Sequence, residues 1–317
     1  MLARIGQLKQ EFYYEIVNPV EFIEQLRKSD TRIDIFTFLE KFPPADPPQD
    51  FFTEMDNFAV IPISTFDQWQ KHQIPKATRR GLRKAKEHGM EVRWVPFDDE
   101  LVRRIWEIFN ESPVRQGQPF WHYGKDIQAV KEILSRDQEW ARYLGAFIGD
   151  EMVGFIKLLT RRNFARTTLI LSKIAHRDKY PNNSLIAKAV EVCTDEKIPY
   201  LVYGQIEYGK VGSKSLADFK TNNGFQKFPL PRYYVPLSLR GKLVLKLRLH
   251  HGVIGLAPKW LVQGMLRLRN WVYAKKVTPT KTGSIRSDAS TGDDKVQASE
   301  TSSQQSLLKN CEDIPKV

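Results

Sequence analysis

The stretch RYLGAFIGDEMVGFIKLL, residues 142–159, places two short apolar runs on either side of Gly149-Asp150. A Gly-Asp pair between strand-like runs is a hairpin turn, so Arg142–Ile148 and Met152–Leu159 are expected as paired antiparallel strands. That fixes β structure in the middle of the chain. The flanking periodicity sets what surrounds it. DDELVRRIWEIFNE, 98–111, carries Leu101, Ile105, Ile108 and Phe109 on one helical face, with Asp98 and Asp99 suited to its first turn. Asp126–Ser135 supplies a second helix. After the hairpin come a strand at 166–174, a helix at 183–196, a strand at 200–205, a short helix at 214–223 closed by Gly224, and a strand at 233–236. This order implies a mixed sheet with helices and not a run of βαβ units.

Upstream, strand-like runs occur at 33–38, 58–63 and 90–95. A Pro-rich loop, FPPADPPQD, separates the first two. Residues 65–74 read as a short helix, and ATRRGLRKAKEHG, 77–89, as a basic helix ended by Gly89. Gly81 inside that helix costs ~1 kcal/mol relative to Ala. The expected domains are 1–95, 96–239, a basic amphipathic segment at 240–276, and a disordered tail at 277–317 rich in Ser, Thr, Lys, Asp and Gln.

Charge is concentrated late in the chain. From Phe219 to Ser287 there are 14 Lys/Arg and no Asp or Glu, although the whole chain has 37 acids. In 240–276, Leu243, Leu245, Leu247 and Leu249 first alternate with other residues. Trp260, Leu261, Met265, Leu268, Trp271 and Val272 then follow helical spacing. Basic residues, aromatics and leucines without acids suit a helix lying on an anionic membrane surface. The same charge suits RNA.

Several classes are not supported. The opening MLARIGQLKQEFYYE has no continuous apolar run, so a cleaved secretory signal is not expected. Cys193 and Cys311 lie far apart, which gives no disulfide framework and fits a reducing compartment. No metal pattern appears: four histidines are isolated, and adjacent His250 and His251 do not share a helix face. No nucleophile elbow, Walker loop or dinucleotide fingerprint is present.

Four motifs could carry chemistry. In IAHRDKYPNNSLIAKAVEVC, 174–193, a strand runs through a loop into a helix whose first N–H groups form an anion site. Arg177, Tyr180, Asn182, Asn183 and Ser184 would line it, with His176 as a candidate acid–base group. Core-helix capping by Asn182 or Asn183 is the plainer reading. In the basic helix, Arg79, Arg80 and Arg83 could hold an anionic group through forked donors, or form a solvated face. In YGQIEYGKVGSKSLADFKTNNGF, 203–225, Gln205 and Glu207 stand at a strand end, with Glu207 a candidate general base and Lys220 facing ligand or water. Ser213 or Ser215 would cap the next helix. In PVRQGQPFWHYGKD, 113–126, Arg115, Trp121 and Tyr123 crowd one connection that could line a cleft or cover a core.

Taken in order, these motifs resemble a known group. KATRRGLRKAKEHGMEV, YLGAFIGDEMVGFIKLL, IAHRDKYPNNSLIAKAVEVCTDEKIPYLVYGQ and SLADFKTNNGF are similar to segments of the FemAB-related, GNAT-like acyltransferases, over about residues 60–236. The resemblance implies tandem GNAT-like subdomains, each a mixed sheet flanked by helices, here followed by basic C-terminal helices. It implies transfer of an acyl or aminoacyl group to an amine or hydroxyl of a cell-envelope or polysaccharide precursor. The donor would be acyl-CoA or aminoacyl-tRNA, with no metal. A cytoplasmic protein, peripheral on the inner membrane face, is expected. Partners would be an anionic membrane surface or lipid-linked precursor through 240–276, and tRNA. The chain departs from the GNAT pattern in lacking the phosphate-loop glycines: Tyr180-Pro181-Asn182-Asn183 stands there. The alternative is a non-catalytic GNAT-like protein that binds a lipid-linked or nucleic-acid partner.

Overall fold

The computed structural model describes residues 3–8, 11, 16, 18–43, 51–115, 118–206, 214–251, 264 and 311–313. In chain order the first elements are β1 (Ile5–Leu8), α1 (Pro19–Lys28), β2 (Ile35–Leu39) and β3 (Phe52–Pro62). Next come α2 (Phe66–Gln68), continued by a π-helical turn at Trp69–Gln73, then α3 (Lys76–Glu87), β4 (Met90–Val95) and α4 (Asp99–Phe109). The two-residue strands β5 (Val114–Arg115) and β6 (Gln118–Pro119) precede α5 (Ile127–Ser135), β7 (Ala141–Ile148), β8 (Glu151–Thr160) and β9 (Ala165–Ser172). A 3-10 turn at Ile174–Lys179 leads into α6 (Pro181–Asp195), followed by β10 (Tyr200–Gln205), α7 (Lys214–Asn222), β11 (Gln226–Pro236), α8 (Leu239–Lys246) and β12 (Cys311–Asp313).

The described residues divide into two compact units, one holding those up to Met55, Pro231–His251 and Cys311–Asp313, the other Asp56–Leu230 and Gly264. In the first unit β1 and β2 pair in parallel, and β2 pairs antiparallel with the end of β11. One face of this sheet buries Phe36, Phe38, Tyr233 and Val235 against Phe22, Ile23 and Leu26 of α1. The other buries Ile5, Ile35 and Tyr234 against Val244 and Leu245 of α8. The start of the expected basic helical segment, where leucines alternate in the sequence, is indeed a helix. Ser238 starts it, its hydroxyl accepting from the Gly241 N–H, and the helical turn sends Val244 and Leu245 inward. Cys311–Asp313 pairs with β1, so the expected tail holds one short strand. The rest of 277–317, like 252–263, lies outside the described residues.

In the second unit β4, β7, β8 and β9 are successively antiparallel, β9 and β10 are parallel, and β10 is antiparallel to β3. The hairpin is as expected, with Gly149 at φ 58 in its turn. One core cluster joins the sheet to Leu82 and Ala85 of α3, Leu185, Ile186, Ala189 and Val190 of α6, and Trp69. A second joins it to Leu101, Ile105 and Ile108 of α4 and Val130 and Leu134 of α5. Helix α4 begins where the acids required, with the Asp98 carboxylate accepting from the Leu101 N–H. Because β4 pairs along its whole length with β7, and α3 packs on α6, residues 76–95 belong to this unit. The expected cut at 95/96 falls inside it.

Candidate functional site

Strands β9 and β10 pair only at Leu201↔Ala165 and Val202↔Arg166. Beyond that ladder β9 runs on to Ser172 and β10 to Gln205. Gly204, at φ 54, and a register break between Val202 and Gln205 turn β10 at this point. Backbone carbonyls that leave a ladder need new donors. The Lys220 Nζ supplies them: it donates to Tyr203 O at 2.8 Å and Gln205 O at 2.6 Å, and lies 4.3 Å from the centre of the Tyr203 ring. Lys220 is fully buried, and burial pushes its pKa down to about 8. Helix spacing alone placed it toward ligand or water. The structure places it inside, at the end of β10.

Helix α6 starts two residues earlier than its periodicity suggested. Pro181 takes its first position, where a missing N–H costs nothing, and Tyr180 precedes it in the left-handed region at φ 59. Neither Asn182 nor Asn183 is the cap. The Tyr180 ring lies over α3 at Gly81, where a Cβ would come within 2.8 Å of it. Gly81 is thus the residue that lets the basic helix approach the loop. Ser184 Oγ donates back to Tyr180 O at 3.1 Å. Asn183 Nδ2 donates to Asn223 Oδ1 at 3.0 Å. Asn223, fully buried, donates in turn to Phe219 O, while its own carbonyl accepts the Trp69 indole N–H. This chain of bonds ties the first turn of α6 to the end of α7, three residues beyond Lys220. Asn182 Oδ1 is buried at the same helix end with no hydrogen-bond partner.

The loop before α6 is already capped from within. The Glu111 carboxylate accepts from the N–H groups of Ile174 (2.7 Å) and Ala175 (3.2 Å). Arg115 holds Glu111 at 3.0 Å and also donates to Ser172 O and Ile108 O, with its guanidinium 4.8 Å from the Phe120 ring centre. Burial, then the Arg177 charge, lower the Arg115 pKa against the opposing pull of Glu111. Arg115 is 7% exposed, so it braces β9 and α4 from within. Glu111 escaped the sequence reading. Its one signal is a position four residues before Arg115 at the end of an amphipathic helix.

The remaining candidates separate. Arg79 donates to the carbonyls of Gln70, Lys71 and Ile74, closing the π-helical turn. Arg80 and Arg83 stay exposed on α3, the latter 3.6 Å from Glu87. His176 sits between Glu151 and Lys179, 3.3 Å from each, and Arg177 is exposed. Trp121 and Tyr123 are exposed, with Lys125 Nζ 4.5 Å from the Trp121 ring centre. Glu207 and Ser213 lie outside the described residues, and Ser215 is within α7. A second buried lysine, Lys157, donates to Leu134 O and Arg136 O at the end of α5. It is a structural cap whose only sequence signal is one cation in an apolar strand. Among the described residues, one group of three potential metal ligands occurs, Glu54, His250 and His251, in the first unit.

No protein-family model matches the chain, and no curated protein matches it. Solved structures that it resembles include FemX, at 12% identity over 62% of this chain and 65% of that one, with a TM-score of 0.46. L-PGS from Bacillus licheniformis is 15% identical over 63% of this chain and 66% of that one, with a TM-score of 0.39. A tandem GNAT protein from the clavulanic acid biosynthesis pathway is 12% identical over 68% and 67%, with a TM-score of 0.40. The match covers slightly less than two thirds of the FemX and L-PGS chains.

Proposed function

We propose that this chain is a GNAT-like acyl- or aminoacyltransferase that modifies an amine or hydroxyl of a cell-envelope or polysaccharide precursor. The observation that carries the reading is Lys220, a buried cation on the carbonyls of β10 just where β9 leaves it. An acyl carbonyl held between the parted strands would have this ammonium nearby in a dry setting. When the acceptor attacks, the carbonyl oxygen gains negative charge, and Lys220 offsets it. The bond from acyl carbon to acceptor forms, the bond to the donor's oxygen or sulfur breaks, and the acceptor proton passes to the leaving group. Binding both partners in register supplies the rest.

The donor favoured by the loop is an aminoacyl ester of RNA. A CoA pyrophosphate at this point needs several unsatisfied N–H groups. Glu111 already fills those of Ile174 and Ala175, and Pro181 removes another. The exposed Arg80, Arg83, Lys84 and Lys86 on α3 suit a polyanion instead. The acceptor would be reached at the cytoplasmic face of a membrane. Among the described residues no helix is long and apolar enough to cross one. The exposed Leu239, Leu243 and Leu247 recur every four residues along α8 and the turn after it, amid Arg240, Lys242, Lys246 and Arg248, which suits an anionic lipid surface.

The test is calorimetric titration with coenzyme A and acetyl-CoA, beside salt-dependent binding of aminoacyl-tRNA. No CoA binding, with RNA binding weakened in R80A/R83A, is expected. Saturable CoA binding would instead make this an acyl-CoA enzyme. RNA binding without any ester cleavage sensitive to K220M would leave a binding protein.

A further inference from the structure

Within the first unit, residues almost two hundred positions apart converge on one point. Glu54 stands in the opening residues of β3, and His250 and His251 in the turn that follows α8. His250 Nε2 is 3.0 Å from Glu54 Oε1, and His251 Nε2 is 2.6 Å from Glu54 Oε2. The ligand atoms all lie within 4.8 Å of one another. Adjacent histidines can do this because the chain leaves α8 through Arg248 in the left-handed region, at φ 54, and no longer follows a helix. The two imidazole centres are 4.2 Å apart. The buried His250 ring is set edge-on to Phe52 and Tyr234, at 5.5 and 4.8 Å, whereas His251 is half exposed. One ligand is therefore fixed, one can adjust, and one side is open to water.

We infer that Glu54, His250 and His251 form a binding site for a late first-row divalent cation, zinc in the first instance. Two imidazole nitrogens and a carboxylate oxygen are a donor set for zinc and its neighbours. The all-oxygen preference of calcium and magnesium fits it poorly. Bonds of ~2.0–2.2 Å at tetrahedral angles set ligand atoms ~3.3–3.5 Å apart. The present spacings are shorter by tenths of an ångström in one pair and less than one ångström in the other, an opening that the exposed His251 side chain can supply. A water would complete the fourth position. The ion would staple the turn after α8, which lies within the acid-free basic run, to β3. The inference stands independently of the transferase reading.

The plain alternative is a carboxylate that only accepts hydrogen bonds from two imidazoles. Glu54→Gln separates the two, because an amide oxygen still accepts a hydrogen bond but is a poor zinc ligand. The full chain is stripped with chelator and titrated with Zn2+ by calorimetry and with Co2+ by visible absorption. The expected results for wild type are one saturable equivalent, a four-coordinate cobalt band, and a Tm raised by about 2 °C or more with zinc. E54Q and H251A should lose the band and the zinc-dependent Tm rise while keeping the wild-type circular dichroism spectrum in chelator, and Mg2+ should do nothing. His251 is half exposed, so H251A reads the site even if a change at buried His250 prevents folding. Equal zinc response in wild type, E54Q and H251A would overturn the inference.

Discussion

Replacing Lys220 with Met removes a buried charge while keeping much of the side chain's bulk. The pH dependence of the resulting stability difference can be worked out. Burial takes the lysine from 10.5 to about 8. At ~1.4 kcal/mol per pH unit that is about 3 kcal/mol. Below pH 8 the folded and unfolded chains both hold the proton, and the full cost of burying charge is present. Between pH 8 and 10.5 only the unfolded chain still holds it, so raising the pH stabilises the wild type. Above 10.5 the effect is complete. Urea unfolding of wild type and K220M at steps from pH 7 to 10.5 therefore should show their stability difference moving by about 3 kcal/mol in favour of wild type. Lys157, also lowered to about 8 by burial, is present in both proteins and drops out of the difference. The carbonyls of Tyr203 and Gln205, left without a donor in K220M, add an offset that does not vary with pH and leaves the slope unchanged. A difference flat across this range would mean that Lys220 is not held in a dry site and does not offset charge at an acyl carbonyl there.

Three further outcomes are expected. G81L drives a side chain into the Tyr180 ring, which should cost about 1–3 kcal/mol and weaken RNA binding; a Tm and an affinity equal to wild type would show that α3 and the loop are not in close packing. R115A uncovers Glu111 and the carbonyls of Ser172 and Ile108, and should lower unfolding free energy by about 3 kcal/mol in urea; a loss under 1 kcal/mol would contradict the buried clamp. His122, stacked on Phe109, is pushed down to about 4 by burial and by Lys125. Between pH 6.5 and 4 only the unfolded chain gains its proton, so stability falls as pH falls, and H122F should flatten that acid limb in thermal melts.

Local chemistry marked out much of the second unit in advance. Gly149-Asp150 and two apolar runs specify a hairpin wherever it sits. Asp98 and Asp126 announce helix starts, and β4 and β10 fall on the runs that predicted them. Such signals act within a few residues and need no partner. The early β1 and α1 went unread, and although 240–276 was expected to be helical, which face of 239–246 turns inward was not legible. There the deciding term is which residues the neighbouring sheet buries.

The site follows the same divide. The basic residues of α3, the loop before α6 and Lys220 were all legible as polar groups near a possible ligand, because charge, proline and helix period are properties of the chain itself. Their roles were not. Arg79 looked like an anion binder and Arg115 like part of a connection lining a cleft or covering a core, and both donate to backbone carbonyls. Gly81 looked like a helix defect and proves to be the contact that admits Tyr180. Lys220 looked turned toward ligand or water and is fully buried, and Glu111 did not stand out at all. The sequence by itself determined which residues carry charge, where strands and helices turn, and where acids are missing. Only the tertiary structure decided which of those charges lie in a dry interior, since burial and carbonyl partners come from segments far apart in the chain, and it is burial that turns a lysine into a candidate for chemistry.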